Sequence, residues 1–204
     1  MEQLLERLFE SVPKARILRL FLRNPEDRFQ FSEIVGRSRV RPRTARAQLN
    51  KLIRLGLVHS ASAQLPAVEK RGRKTKIKKA PVYFVNMDFD CLKELRELIA
   101  KSSVAPRHIL LRQIKGIGKV KLVVLSGIFI NNENARIDLL IVGDDIQKRK
   151  LDVFLANTES DIGKPIQHTI MDTEEFRYRM DMYDRFLRDI LEYPHEKLIN
   201  KLNI

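Results

Sequence analysis

Residues 31–58 constrain the fold of this chain more than any other stretch, because their pattern indicates a short helix, a turn and a longer helix. Pro42 suits the first turn of the longer helix, where its missing N–H would have had no intrahelical partner. Four apolar residues follow at helical spacing: Ala45, Leu49, Leu52 and Ile53. This spacing predicts a helix that buries one narrow stripe and ends near Gly56, which suits a C-cap.

The opposite side of the longer helix is predicted to be exposed and basic. With about 100° of rotation per residue, that side is formed by Arg43, Ala47, Asn50 and Arg54, flanked by Thr44, Arg46 and Lys51. Arginine also stands at every second position from Arg37 to Arg43, which crowds positive charge at the helix N-terminus, where the helix dipole disfavours it. Such a face suits a groove lined with phosphates. The alternative is a solvated basic helix.

Residues 43–58 contain the pattern T-x-x-x-x-L-x-x-L-x-x-x-G-L-V, and the helix-like stretch FSEIVGRS precedes them. This arrangement resembles the helix-turn-helix of winged-helix transcription regulators. The resemblance implies that the second helix lies in the major groove of DNA and that residues 57–85 form a β-hairpin, the wing. The DNA contacts that it implies are Arg41, Arg43, Thr44, Arg46, Ala47, Asn50, Lys70, Arg71, Arg73, Lys74, Lys76 and Lys78.

The excess of positive charge is confined to the first part of the chain. Residues 1–80 hold 20 Lys and Arg against seven Asp and Glu, whereas residues 81–204 hold 19 of each. The predicted wing contributes seven of these cations within residues 69–80, around a turn expected at Gly72. A basic part joined to a neutral part indicates a polyanionic partner for the first part. The alternatives are an anionic membrane and, for the wing alone, a solubilising loop.

Length and composition limit the class of protein. With 204 residues, 44% of them hydrophobic, the chain can form one large globular domain or two ordinary ones. No apolar run approaches the roughly 20 residues of a membrane span. The start MEQLLERLFES has no signal-peptide layout, so a cytoplasmic protein is expected. The single cysteine, Cys91, allows no internal disulfide and is expected to be a buried, inert thiol.

The predicted fold class is α+β with two domains. Residues 1–88 are expected to form the winged-helix domain, with Ser32 as the N-cap of one helix and Pro81 at the start of the returning strand. Residues 89–104 indicate an amphipathic helix that connects the domains or forms a dimer. Residues 105–204 indicate an α/β domain with a small mixed sheet. Its strands are predicted at 120–125, 137–142 and 165–171, its helices at 106–114, 144–157, 172–182 and 184–192, and its last residues as extended or helical.

The second domain also resembles a known family. The stretches KLVVLSGIFINNENARIDLLIVGDD and IQHTIMDTEEFRYRM resemble the minimal nucleotidyltransferases of the DNA polymerase beta superfamily, over about residues 105–195. In that family a strand leads into Gly-Ser, the next strand carries Asp-x-Asp, and a later strand supplies a third carboxylate. The resemblance therefore implies two-metal chemistry, in which paired carboxylates hold Mg²⁺ at the reacting phosphate.

The residues that this chemistry needs are largely replaced. Gly127 is present, but Ile128 stands where the serine would be, and Arg136 stands where the first aspartate would be. Only Asp138 of the pair remains, and residues 167–170 supply no third acid. One carboxylate beside an arginine is a poor site for Mg²⁺, which prefers several oxygen ligands. We expect no metal, no other cofactor and no enzymatic activity, with Arg136 and Asp138 forming a structural pair or an anion contact.

These patterns predict a sequence-specific DNA-binding transcription regulator whose second domain serves as a sensor, dimerisation or scaffold module. The expected partners are double-stranded DNA, a second copy of the chain in a homodimer, and a small-molecule or nucleotide effector. Two alternatives stay open. The protein could be a nucleotidyltransferase-type enzyme that modifies a nucleic acid or a protein, or an antitoxin-like protein that binds a partner through its second domain.

Overall fold

The computed structural model of this chain describes residues 4–66, 77–102, 107–132 and 134–204. Within these ranges the fold is α+β, with nine α-helices and two small sheets. The chain divides into two compact units: residues 3–103 with 160–164, and residues 104–159 with 165–204. None of the helices in the described ranges is both long and apolar enough to cross a lipid bilayer.

The first unit consists of short helices and a three-stranded antiparallel sheet. Its helices are α1 (Leu4–Leu8), α2 (Val12–Arg23), α3 (Phe31–Ser38), α4 (Pro42–Arg54) and α5 (Leu92–Ser102). Its strands are β1 (Phe29–Gln30), β2 (Val58–Pro66) and β3 (Ile77–Val85), in the spatial order β1-β3-β2. Strands β2 and β3 pair along their whole length, from Val58 opposite Val85 to Pro66 opposite Ile77. They therefore form the two arms of a hairpin.

Helix α2 supplies much of the core of the first unit. The Ser11 hydroxyl caps its N-terminus by accepting a hydrogen bond from the Lys14 amide at 3.3 Å, and Pro13 stands in the first turn. The apolar residues of α2 buried in this core are Ala15, Ile17, Leu18, Leu20, Phe21 and Leu22. Helices α3, α4 and α5 all contact α2, so their orientations depend on it.

The apolar stripe predicted on α4 is confirmed. Ala45, Leu49 and Leu52 are at most 1% exposed, within the core that α2 lines. Because a helix turns by about 100° per residue, burial of this stripe turns the opposite side to solvent. The exposed residues on that side include Arg43, Ala47, Asn50 and Arg54. Gly56 follows the helix with a φ of +80°, which glycine adopts without steric strain.

Helix α3 begins at Phe31, so Ser32 lies inside the helix and the prediction that it is the N-cap is wrong. Gln30 occupies the cap position instead. Its amide donates a hydrogen bond to Glu33 Oε2 at 2.6 Å. In this capping-box arrangement the Glu33 side chain satisfies the backbone N–H of the cap residue.

Strand β3 begins four residues before its predicted start at Pro81, at Ile77. Pro81 lies opposite Ser62 of β2. The pairing of β1 with β3 ends at Val82, so at Pro81 the strand has a neighbour on one side only. Proline is tolerated at such an edge position because no second ladder requires its missing N–H.

Helix α5 is part of the first unit, whereas we expected residues 89–104 to connect two domains. Leu92 and Ile99 are buried in the core of the first unit, and Leu95 and Leu98 pack against it. The residue before α5, Cys91, is exposed and has a φ of +63°. The expectation of a buried thiol is therefore wrong, because the apolar face of the helix begins only after the cysteine.

The remaining elements form a mixed sheet with helices around it. The helices are α6 (Arg107–Lys115), α7 (Lys148–Ile162), α8 (Thr173–Asp181) and α9 (Arg185–Glu192). The strands are β4 (Lys119–Leu125), β5 (Leu139–Asp144), β6 (His168–Met171) and β7 (Glu196–Asn200). In the spatial order β6-β5-β4-β7, only the β5–β6 pair is parallel. The C-terminal residues, predicted as extended or helical, thus supply an edge strand.

Helices α8 and α9 cover one face of this sheet. Their Phe176, Leu187 and Ile190 share a buried cluster with sheet residues that include Leu122 and Leu140. The sequence places an aspartate just before each helix. Asp172 accepts a hydrogen bond from the Glu175 amide at 2.7 Å, and Asp184 accepts one from the Leu187 amide at 3.1 Å. Both are N-caps, which satisfy amides that have no partner inside the helix.

Asp144 anchors the start of α8 to the end of β5. Its carboxylate accepts hydrogen bonds from Lys121 Nζ at 2.8 Å and from the Thr173 amide at 3.1 Å. The bond from Lys121, followed by the bond from Thr173, lowers the pKa of the Asp144 carboxyl to about 2. The anchor is therefore ionised at neutral pH.

The orientation of α4 can be tested with two leucines of the same segment. We expect Leu49→Ala to lower the free energy of unfolding by about 2–5 kcal/mol, because it leaves a cavity at a fully buried position. Leu55→Ala removes the same atoms from a side chain that is 60% exposed, so its effect should stay within about 0.5 kcal/mol. Urea unfolding followed by circular dichroism measures both. Equal losses would contradict the described orientation of α4.

Candidate functional site

The exposed face of α4 carries most of the residues predicted to contact DNA. Arg41 occupies the N-cap position of the helix and is exposed, as are Arg43, Ala47 and Asn50. Thr44 is half-buried. Among the described residues, neither Arg41 nor Arg43 forms an ion pair with an acidic side chain. The positive charge of this face is therefore not neutralised locally, which leaves it available to an anion.

Arg46 differs from its neighbours because two aromatic side chains hold it. Its guanidinium carbon lies 3.7 Å from the centre of the Phe31 ring, and its Nη1 donates a hydrogen bond to the Tyr83 hydroxyl at 2.9 Å. Phe31 begins α3 and Tyr83 lies on β3, so one arginine joins both helices of the motif to the hairpin. A cation over an aromatic face is attracted by the ring quadrupole, which restrains the guanidinium in this position.

Two further arginines of the first unit lie over aromatic rings. The guanidinium of Arg28 is 4.9 Å from the centre of the Phe84 ring. That of Arg37 is 5.1 Å from the centre of the Phe29 ring. Neither these rings nor Tyr83 was predicted to be part of a basic surface. The sequence shows only that β1 and β3 contain aromatic residues. Which arginine lies over which ring depends on how the sheet forms.

The described residues include both strands of the predicted wing but little of its cationic part. Lys70, Arg71, Arg73, Lys74 and Lys76 lie outside the described residues, as does the side chain of Lys78. The backbone of Lys78 lies opposite Leu65 in the β2–β3 ladder. The next lysine, Lys79, is exposed. Whether the tip of the hairpin extends the basic face of α4 therefore stays a prediction.

In the second unit, Asp138 serves as a buried acceptor for backbone amides. It is only 8% exposed. Its Oδ1 accepts a hydrogen bond from the Ile128 amide at 2.8 Å, and its Oδ2 accepts one from the Gln167 amide at 2.9 Å. The carboxylate thus holds together the turn after β4, the start of β5 and the approach to β6. Both oxygens are engaged with the protein, as in a structural carboxylate.

Gly127 allows this arrangement. It has a φ of +53°, and a Cβ at this position would lie 1.9 Å from Asp138 Oδ1. Only glycine leaves space for the carboxylate to reach the Ile128 amide. In this chain, the need for glycine at position 127 is therefore explained by its contact with Asp138, whatever its resemblance to the first residue of the transferase Gly-Ser motif.

We expected Arg136 to form a structural pair with Asp138 or to contact an anion, but the two side chains do not pair. Its Nη1 forms an ion pair with Asp189 of α9, and its guanidinium lies 5.0 Å from the centre of the Phe186 ring. The structural-pair interpretation of Arg136 with Asp138 is therefore wrong, because each has its own partners. Within the described residues, no group of three or more His, Cys, Asp or Glu side chains is arranged to hold a metal ion.

The close packing of Gly127 against Asp138 gives a second test. We expect Gly127→Ala to lower the free energy of unfolding by about 2 kcal/mol or more, because the added methyl group displaces the carboxylate and leaves buried amides unpaired. Gly36→Ala is the control, since a Cβ at that helical position meets no atom within 4 Å. It should be neutral or stabilising by up to about 1 kcal/mol. Urea unfolding measures both variants, and a neutral Gly127→Ala would contradict the described contact.

Comparison with known proteins does not assign this chain to a family. No protein-family model matches it. No curated protein matches it, and no solved structure does. What the chain does must therefore be inferred from its own residues.

Proposed function

We propose that this protein is a sequence-specific DNA-binding transcription regulator of the winged-helix type. The observation that carries the proposal is the helix α4, which buries an apolar stripe and presents exposed Arg41, Arg43 and Asn50 on its other side. Helix α3, the turn and α4 would form the helix-turn-helix, and the β2–β3 hairpin would be the wing. A cytoplasmic location fits this function.

In this proposal α4 enters the major groove of double-stranded DNA. Residues near the N-terminus of a recognition helix contact base edges, so Arg43 is the first candidate for reading sequence. Asn50 lies about two turns further along the same exposed side of α4 and is the second candidate. Arginine can form two hydrogen bonds with the edge of a guanine, and asparagine can form two with the edge of an adenine. Arg41 at the N-cap and the cations of the wing would contact phosphates, which position the protein without reading bases. Thr44 and Ala47 would lie against the bases beside them.

Arg46 would have a different role from Arg43. Because Phe31 and Tyr83 already hold its guanidinium, it loses little conformational freedom when it meets an anion. It would serve as a fixed phosphate contact at the junction of the helix pair and the hairpin. The pairing with Tyr83 also fixes the orientation of α4 relative to β3, so that the groove contact and the wing act together.

We propose a sensor, dimerisation or scaffold role without transferase chemistry for the second unit. Both oxygens of Asp138 accept hydrogen bonds from backbone amides, and Arg136 stands where a second metal-binding carboxylate would be needed. A guanidinium at that position would repel Mg²⁺. The proposal includes a homodimer, because helix-turn-helix regulators commonly read two half-sites about one helical turn apart.

DNA reading by α4 can be tested after selection of a preferred duplex from a random DNA pool. We expect Arg43→Ala to reduce the discrimination between that duplex and an unrelated one by about 1–3 kcal/mol. Arg73→Ala in the wing should weaken binding to both duplexes alike. Fluorescence anisotropy at several salt concentrations measures these affinities, which should fall steeply as salt rises.

Arg177→Ala is the matched control for that experiment, because Arg177 is an exposed arginine of the second unit. It should leave both affinities unchanged. If Arg43→Ala kept the full sequence preference, α4 would not be the reading helix. If Arg177→Ala weakened binding as much as Arg43→Ala, the effect would be one of total charge and the basic face of α4 would have no special role.

The absence of transferase chemistry has its own test. Purified protein is incubated with labelled nucleoside triphosphates, Mg²⁺ or Mn²⁺, and nucleic acid or protein acceptors. We expect no transfer of label above background, because Asp138 is already committed to two backbone amides. Transfer that is lost in Asp138→Asn while the variant stays folded by circular dichroism would favour the enzyme instead.

A further inference from the structure

A cavity of about 330 Å³ with both polar and apolar lining residues lies in the second unit, beside α9 and the segment that leads into β5. Its volume lies near the lower end of the range of small-molecule sites, about 300–1,000 Å³. The polar side chains that line it include Asn132, Asn134, Arg136, Arg185, Asp189 and Tyr193. The size suits a small metabolite rather than a peptide or a nucleic acid.

Positive charge exceeds negative charge among the described residues that line this cavity. Arg136 and Arg185 are cationic, and Asp189 alone is anionic. Asp189 engages a single Nη of Arg136, so the other donors of that guanidinium stay available. Within the described part of the chain, Arg185 forms no ion pair with an acidic side chain. Among the residues that the structure describes around this cavity, two guanidinium groups are thus accompanied by one carboxylate.

The position of Arg136 is fixed before any ligand binds. The ion pair with Asp189 and the ring of Phe186, 5.0 Å from the guanidinium carbon, restrain the side chain. A restrained arginine loses less conformational entropy on binding than a freely rotating one, so more of its interaction energy contributes to affinity. Asn132, Asn134 and the Tyr193 hydroxyl add donors and acceptors around it.

We propose that this cavity binds a small organic anion, whose phosphate or carboxylate group is held by Arg136 and Arg185. A carboxylate is planar and a phosphate is tetrahedral, but both present two oxygens that can accept paired N–H bonds from one guanidinium. A cation is disfavoured by the same two arginines, and a wholly apolar ligand would cover their polar groups without forming hydrogen bonds to them. The inference goes beyond the proposed function, because an anion site in the second unit does not require that the first unit binds DNA.

The test is a titration of the full chain with sodium phosphate and, separately, with sodium malonate, against sodium chloride at equal ionic strength. Amide and arginine side-chain NMR signals report the site. We expect saturable shifts at Arg136, Arg185 and nearby amides with at least one of the two anions. The anion that binds more tightly distinguishes a phosphate from a carboxylate ligand.

Three variants define the site. Arg185→Gln and Arg136→Gln should each weaken binding about tenfold, the loss of one charge-assisted contact, whereas Arg177→Gln should leave it unchanged. Arg185→Gln is the more informative of the two site variants, because Arg136→Gln also leaves Asp189 without its partner. A rise in the thermal unfolding midpoint with the binding anion provides an independent measure of affinity.

The proposal is overturned if neither anion gives saturable shifts. It is also overturned if the shifts occur away from this cavity, or if Arg185→Gln binds as tightly as the unchanged protein. DNA affinity of Arg185→Gln is measured in parallel and should equal that of the unchanged protein. Failure of anion binding and failure of DNA binding are thus separate outcomes.

Discussion

The burial of one apolar stripe of α4 determines most of the properties of the first unit. Ala45, Leu49 and Leu52 are removed from water in the core that α2 lines, and each large side chain contributes roughly 1.5–3 kcal/mol to folding. This burial fixes the rotation of the helix about its axis. The arginines of the other side then face solvent together. A concentrated positive surface is thus a consequence of core packing, and its electrostatic cost is offset by that packing.

The aromatic residues around Arg46 extend the same constraint from the helices to the sheet. Phe31 contacts the guanidinium from α3, and Tyr83 accepts its hydrogen bond from β3. Tyr83 is only 5% exposed and lies opposite Phe29 of β1 and Ser60 of β2. Its position therefore depends on the pairing of β3 with both neighbouring strands. An arginine that would be mobile on an isolated helix therefore has a defined place. A guanidinium held in this way loses less conformational entropy on binding than a mobile one would.

In the second unit, a carboxylate that resembles a metal ligand has a structural environment. Asp138 accepts hydrogen bonds from two backbone amides, and Gly127 leaves the space that its Oδ1 atom needs. Arg136 instead contacts Asp189 and Phe186. The four residues that the sequence grouped as one remnant motif, Gly127, Ile128, Arg136 and Asp138, thus belong to two separate arrangements. One holds the turn to the sheet, and the other borders a cavity that we propose to bind an anion.

The sequence by itself determined the helices, the buried stripe of α4 and most strands, because periodicity and capping residues act over a few neighbouring positions. It also located the charge asymmetry. Only the tertiary structure decided the partners of Arg46, Arg136 and Asp138, since these contacts join residues 37, 53 and 29 positions apart. It also placed α5 in the core of the first unit and Cys91 at the surface. Local patterns cannot encode such choices, because they depend on which surfaces meet when the chain packs.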